Sequence, residues 1–398
     1  MQTWLFVSTF IILVAMVLEI SRLIPQLLRG LKFESQFVLP DIDLSVVETC
    51  SVSVIVPAKD EAPNIIKAVE SILASSYKNL EVILVNDRST DDTWELMRRL
   101  SEKDNRIKIV DVKNVPDNWT GKTHAMFVGT GVASGDIFLF TDADAVFSED
   151  LIARAVKYFS LEKLDLLSLI PGFQEWGFLE KGIYPHMALV ISYFFPLNSI
   201  NDPNSEAAVA SGCFIMISAK TYRELGTWSK LKSQLTEDIA IARMAKSVGK
   251  KICVGRSDMV RTKAFSNVFD LARFWRRTFY GALDNNLIKI MRLWLNYTPL
   301  LIPFGLTIYL VFRMLMDEDC GSRELIIFFM SVATIAAIEI PLGIFLRNYH
   351  GKWAYTFLAP VGILTGSWIA TWLFFTKVFN VGIEWRGSIY KQDIWRKT

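Results

Sequence analysis

Cysteine is scarce in this chain: 398 residues hold four, Cys50, Cys213, Cys253 and Cys320, and no two of them form a C-x-x-C pair. That scatter argues against structural zinc and fits a reducing cytoplasm. Histidine is scarcer, and His124, His186 and His350 stand too far apart to suggest a local metal cluster. With a net charge of +2 and no basic stripe carrying stacking aromatics, no nucleic acid is expected as a partner. No G-x-G-x-x-G and no G-x-x-x-x-G-K-[ST] follows any apolar run, so neither a dinucleotide cofactor nor a P-loop nucleotide is favoured. Asn118-Trp-Thr120 matches a glycosylation acceptor that would go unused on the cytoplasmic side.

Apolar sequence, by contrast, is abundant. Hydrophobic residues make up 52% of the chain and the mean hydropathy is +0.30, too apolar for an ordinary soluble protein. The excess is concentrated in a run from Trp4 to Ile20, charged only at Glu19, and in three later runs, Pro299 to Met316, Leu325 to Leu346 and Trp353 to Phe375. Each approaches the roughly 20 residues that cross a bilayer. The first lacks a basic start and a small-residue cleavage site, so residues 1–22 read as an uncleaved anchor. Arg22, Arg29 and Lys32 follow it with nothing basic before, which places the large middle region in the cytoplasm. Asp317–Cys320 then reads as an external loop and Arg347–Lys352 as an internal one. Four full spans would put Lys377, Arg386, Lys391, Arg396 and Lys397 outside, so residues 296–376 hold two or three spans, and the parity stays open.

Between these ends the pattern is α/β. Strands over Val52–Val56, Leu80–Val85, Ile107–Val110 and Ile137–Thr141 alternate with helices beginning near Pro63, Asp92 and Thr123. That β-α-β alternation makes a mostly parallel sheet with right-handed crossovers. Carboxylates follow three of the four strands: Asp60 with Glu61, Asp87, and Asp142 with Asp144. Open α/β sheets bind ligands at that carboxyl edge. Asp142 and Asp144, one residue apart, repel each other unless a cation is shared, and hard oxygen donors suit Mg²⁺ or Mn²⁺ bridging to phosphates. Asp41-Ile-Asp43 has the same spacing in a polar linker, so the spacing carries weight only together with the strand before it. Lys122, after Gly121, offers a point charge for a diphosphate. Further on, strands are expected over Asp165–Pro171 and over Ala207–Ser218 with a break at Gly212, and a helix over Phe178–Leu197. Thr236-Glu-Asp238 opens a helix to about Val248; its acids either complement the helix dipole or place Asp238 as a proton acceptor. From Asn267 to Trp294 bulky apolar residues alternate with Arg273, Arg276, Arg277, Lys289 and Arg292, the pattern of an interfacial helix or helix pair.

These pieces, Val54 to Glu61, Asn86-Asp-Arg-Ser89, Gly135 to Asp144 and Thr236-Glu-Asp238, resemble the inverting, membrane-bound glycosyltransferases of family two, with the GT-A fold. The resemblance runs over about Ser51 to Gly281. Trp119-Thr-Gly-Lys122 and Glu384-Trp-Arg-Gly-Ser388 are similar to a subgroup of hopanoid-associated and carotenoid glycosyltransferases, with ceramide glucosyltransferases more distant. It implies a GT-A domain over 51–262 between a linker at 23–50 and interfacial helices at 263–295, with a basic tail at 377–398. It further implies that Ala58, Asp60 and Glu61 line a nucleotide pocket and that Asp87 contacts the uracil of a UDP-sugar. Asp142 would face ribose or diphosphate, Asp144 would hold the divalent metal, and Asp238 would be the catalytic base. Arg273-Phe-Trp-Arg276 fits the first four places of the family's Q/R-x-x-R-W motif, which implies Arg276 at the diphosphate, while Arg277 stands where the tryptophan belongs. A lipid hydroxyl or carboxyl is the expected acceptor, at the cell membrane. The alternatives are a processive polysaccharide synthase and a non-catalytic membrane protein that binds nucleotide sugars.

Overall fold

A computed structural model describes residues 50–188, 199–283, 286–316, 321–348, 352–385 and 388–390, with isolated positions before residue 50. The anchor expected over 1–22, the linker, the loop at Asp317–Cys320 and the end of the basic tail fall, apart from those positions, outside the described residues. The chain divides into two units. The first comprises Phe33–Glu175, Leu197–Ala264 and Gly382–Thr398, the second Met1–Lys32, Trp176–Pro196 and Phe265–Val381.

In the first unit, β1 (Val52–Ala58), α1 (Ile65–Leu73), β2 (Leu80–Asp87), α2 (Thr93–Lys103), β3 (Ile107–Val112), α3 (Gly121–Val132) and β4 (Ile137–Phe140) follow in turn. Then come β5 (Val146–Phe147), α4 (Leu151–Leu161), β6 (Leu166–Phe173), β7 (Ile215–Ser218), α5 (Ala219–Glu224), α6 (Glu237–Ser247) and β8 (Ile252–Thr262). Eight strands form one sheet in the order β3-β2-β1-β4-β7-β6-β8-β5. Four of its seven pairings are parallel; the antiparallel ones all involve β7 or β5. The expected parallel half is present, and the whole sheet is mixed.

β1 is buried at every position because helices cover both sheet faces, the condition under which strands read as continuous apolar runs. Alternate residues take alternate sides. Val54, Val56, Val82, Leu84 and Leu139 pack with Ile65, Val69 and Ile72 of α1, Met97 of α2 and Val156 of α4. Ile55, Ile83, Val85, Phe138 and Phe140 pack with Ala125 and Met126 of α3, Tyr222 of α5, Trp228 in the turn after it, and Ile241 of α6.

The strand expected over Ala207–Ser218 forms only at β7. Upstream, side chains rather than a sheet ladder satisfy the backbone, so the chain stays irregular. Lys246 donates to the carbonyls of Ser199, Ile200 and Ala207 at 3.3, 2.5 and 2.7 Å, and the Ser168 hydroxyl accepts the Ser211 N–H at 2.8 Å. After α6 and β8, Glu384 and Trp385 of β9 (Ile383–Trp385) pair antiparallel with β10 (Ser388–Tyr390), which begins at Ser388.

The second unit is helical. The helix expected over Phe178–Leu197 opens as a π-helical turn, Leu179–Ile183, whose buried Glu180 accepts the Phe265 N–H at 2.7 Å; residues 189–198 lie outside the described set. The stretch from Asn267 is a helix pair, α7 (Val268–Ala282) and α8 (Leu287–Tyr297), each begun by an asparagine side chain that accepts two first-turn N–H groups. α9 (Ile302–Leu315), α10 (Ser322–Asn348) and α11 (Ala359–Val378) follow. Among the described residues three helical stretches are long and apolar enough to cross a membrane: Leu287–Leu315, Ser322–Ile344 and Trp353–Val378. The first begins at α8, inside the stretch expected to be interfacial.

Candidate active site

Parallel pairing puts the carboxyl ends of β1, β2 and β4 on one sheet edge, with Ala58 beside Asn86 and Ile55 beside Phe140. Past those ends the chain turns sharply: Asp60 and Arg88 hold φ of +53° and +54°, the left-handed region that non-glycine residues seldom enter. The two turns are tied together. The Asp60 N–H donates to Ser89 Oγ at 3.0 Å, and Asp60 Oδ1 accepts the Thr90 N–H at 2.6 Å and its hydroxyl at 3.1 Å. Glu61 is buried; its N–H donates to Thr93 Oγ1 at 2.8 Å and its Oε2 accepts Asn64 Nδ2 at 2.7 Å. Ala58 is buried at the end of β1.

α3 enters at the same edge. Thr120 caps it, its Oγ1 accepting the Thr123 N–H at 3.2 Å. The next two residues join the acidic turns. A Cβ on Gly121 would lie 2.1 Å from Asp87 Oδ2, so only glycine lets the helix start against that carboxylate, which is paired with Arg88 Nε at 2.8 Å. Lys122 Nζ lies 2.6 Å from Asp142 Oδ1 and 2.7 Å from Glu237 Oε1, and Glu237 is buried. Gly212 leaves room for that ammonium, since a Cβ there would stand 2.8 Å from Nζ. His124, one turn along α3, is held below the usual imidazole range by burial, an effect that Asp87 opposes and Arg88 adds to.

Asp238, next to Glu237 at the start of α6, is half-exposed where its neighbour is buried. Its Oδ2 accepts the Gly212 N–H at 3.1 Å and its Oδ1 accepts the Ile239 N–H at 2.8 Å. Cys213 donates its thiol to Asp142 Oδ2 at 3.4 Å, and burial together with nearby Asp142 and Asp144 pushes that thiol well above its ordinary range. Asp144 Oδ2 accepts the Thr262 hydroxyl at 3.3 Å, and its carbonyl accepts Gln174 Nε2 at 2.9 Å.

Of the residues picked out from the sequence, Lys122, Asp142 and Asp238 thus come together with Glu237 and Gly212. Asp87 meets the same helix start through Gly121, Asp144 lies on the Asp142 turn, and Asp60 and Glu61 lie in the turn after β1. Arg276 belongs to the helical unit, where its guanidinium carbon lies 3.4 Å from the centre of the Trp372 ring, a stacked cation–π contact. Glu237 had a local signal in Thr236-Glu-Asp238. Gly212 was marked only as a break in an expected strand, and Gln174 and Thr262 had no signal, because each meets its partner across dozens of residues.

The donor set for a divalent ion is a pair of carboxylates. Among the described residues no three His, Cys, Asp or Glu side chains gather as ligands. Mg²⁺ keeps much of its shell in water and phosphate and needs only one or two protein carboxylates. Asp142 and Asp144 therefore fit an ion that arrives with a diphosphate.

Residues 53–226 match the family described as "Glycosyl transferase family 2". The chain is 33% identical over 133 residues to UDP-Glc:alpha-D-GlcNAc-diphosphoundecaprenol beta-1,3-glucosyltransferase WfaP of Escherichia coli, covering 33% of this chain and 50% of that protein. It is 30% identical over 125 residues to 4,4'-diaponeurosporenoate glycosyltransferase of Staphylococcus haemolyticus, covering 31% and 32%. With Glycosyltransferase GlyG of Streptococcus pneumoniae it shares 33% identity over 101 residues, 25% of this chain and 32% of that one. The chain thus spans about a third to a half of these relatives' lengths. The solved mannosyltransferase PcManGT of Pyrobaculum calidifontis, in complex with GDP-Man and Mn²⁺, superposes with a TM-score of 0.51 at 17% identity, over 89% of this chain and 99% of that one. That likeness is one of fold, a GT-A-like sheet, and the family match covers residues 53–226, somewhat under half of the chain.

Proposed function

We propose that the chain is a membrane-bound inverting glycosyltransferase that moves a sugar from a nucleoside diphosphate sugar, a UDP-sugar in the first instance, to a lipid acceptor. The observation that carries this reading is the meeting of Lys122, Asp142, Glu237 and Asp238 at the carboxyl edge of a sheet whose residues match a glycosyltransferase family. The lipid acceptor is supported by three apolar helical stretches and by relatives named for a diphosphoundecaprenol and a carotenoid substrate.

Asp238 is the base because its two oxygens are oriented by main-chain N–H groups and the residue is half-exposed, whereas Glu237 is buried against Lys122. It accepts the proton of the acceptor hydroxyl as that oxygen bonds to the anomeric carbon. The bond from that carbon to the diphosphate breaks on the opposite face, so configuration inverts. Lys122 sits where charge grows on the leaving phosphate and stabilises it. A Mg²⁺ or Mn²⁺ held by Asp144 would supply further positive charge to that group, consistent with the Mn²⁺ named for the mannosyltransferase. The catalytic domain faces the cytoplasm. Asp238→Asn tests the assignment: transfer should slow about 10²–10⁴-fold while nucleotide binding stays within twofold. Transfer at the unaltered rate would remove Asp238 as the base.

A further inference from the structure

We infer that Gln174 and Thr262 are the positioning residues of Asp144, holding the carboxylate that takes the donor's divalent ion from its main-chain side and its side-chain side at once. The inference rests on the proposed role of Asp144, and neither residue lies in a motif of the acidic turns.

Gln174 makes three hydrogen bonds to three different parts of the α/β unit. Its N–H donates to the Thr262 carbonyl at 2.9 Å, which ties the end of β6 to the end of β8. Its carboxamide oxygen accepts Lys67 Nζ at 2.6 Å, from α1. An ammonium can only donate, so this contact fixes which end of the amide faces which way. The NH₂ end is therefore the one aimed at the Asp144 carbonyl, 2.9 Å away. Thr262 completes the arrangement with its hydroxyl on Asp144 Oδ2 at 3.3 Å.

The strand register explains why Thr262 is at hand. Pro171 pairs with Ser257, yet the next residue, Gly172, pairs with Arg261, so β8 bulges over Asp258–Val260. Gly172 makes that possible: a Cβ there would lie 2.5 Å from Asp258 Oδ1. The same Arg261 pairs with Val146 of β5, the short strand that leaves the acidic turn. Antiparallel pairing then brings Thr262 alongside the residues just before Val146. Bulges next to functional sites commonly re-aim one side chain in this way.

A carboxylate on a turn has two free torsions and can swing away from an ion. Hydrogen bonds to it, and to the peptide that carries it, remove that freedom before the ion arrives; loss of such an outer partner typically weakens metal binding about 10–100-fold. Two bonds from two strands make the ion's site depend on residues about 30 and 118 positions away in sequence.

The test uses the full-length protein in detergent, with Mn²⁺ as probe in the presence of UDP and, separately, GDP, and with unbound Mn²⁺ read by electron paramagnetic resonance. Asp144→Asn should abolish Mn²⁺ binding. Thr262→Val, nearly isosteric but without the hydroxyl, should weaken it about tenfold or more, Thr262→Ser should restore it, and Gln174→Met should weaken it independently. Nucleotide affinity without Mn²⁺ should not move in any of these. If Asp144→Asn abolishes binding while Thr262→Val and Gln174→Met keep the unaltered Mn²⁺ affinity, the positioning role is overturned and the reading of Asp144 survives, even where the melting temperature falls. If Asp144→Asn binds Mn²⁺ normally, or the unaltered protein binds none, the inference falls together with the assignment of the ion to Asp144.

Discussion

Lys122 stands between two carboxylates less than 3 Å away, one of them buried, and that arrangement fixes what its removal should do. Bringing Asp142 and Glu237 together without a cation would cost both of them; with Lys122 present, the local charge is closer to balance and a diphosphate can approach. Lys122→Met therefore has two expected effects. UDP or GDP binding, measured by calorimetry, should weaken about 10–100-fold, the loss of a charge-assisted hydrogen bond of about 1.5–3 kcal/mol. The melting temperature should also fall, because two carboxylates then lose the cation between them. Unchanged nucleotide affinity would take Lys122 out of the donor site. At the same scale, Gly121→Ala should disable donor binding, since its Cβ would overlap Asp87 Oδ2 at the start of α3.

Helix α3 carries these residues, so its seating matters as much as its side chains. A Cβ on Gly129 would lie 2.8 Å from Ile55 Cγ2 and 2.9 Å from Val85 Cγ2, which shows how closely the helix lies on β1 and β2. Gly129→Ala should destabilise by about 1–3 kcal/mol through overpacking, and Thr120→Ala by about 1 kcal/mol through loss of the cap. A melting temperature unmoved by either would mean that α3 is not held as described. Across the sheet, Glu81 locks β1, β2 and the turn before β4. Burial alone would raise its pKa, but hydrogen bonds from Lys108, Ser53 and Ser134 outweigh that and bring it down to about 2. A carboxylate depressed in the fold stabilises above its unfolded pKa of 4.5, and that contribution is lost as pH falls toward 2. Glu81→Gln should accordingly flatten the dependence of stability on pH across that window, in thermal melts taken at each pH. The strands and helices of this half were legible because period-two and helical apolar patterns are local. So were the acidic turns, each of which ends a strand. The irregular chain before β7 was not, because Lys246 and Ser168 replace a ladder there and no neighbouring residue announces them. The partners of Asp144 escaped for the same reason: Gln174 and Thr262 reach it through strand register and a bulge, which only the folded sheet reveals.

At the scale of the molecule, the helical unit presents apolar surface that water would not favour. Ile308 is 70% exposed, Leu315 77%, Phe329 65% and Phe357 78%, all on or beside the apolar helices. Exposed apolar surface on that scale marks contact with lipid or with another protein, and helices of this length and composition match a bilayer. The protein should therefore stay with the membrane through an alkaline carbonate wash and leave it only in detergent. The proposed lipid acceptor is open to test in the same membranes. Membranes given radiolabelled UDP-sugars or GDP-sugars, then extracted with organic solvent, should yield label in a lipid of one added sugar. Ladders of increasing chain length would instead favour a processive synthase, and label confined to the aqueous phase would remove the lipid acceptor. The Asp238→Asn protein should form product about 10²–10⁴-fold more slowly while still binding nucleotide, which separates a failed acceptor assignment from a failed donor site.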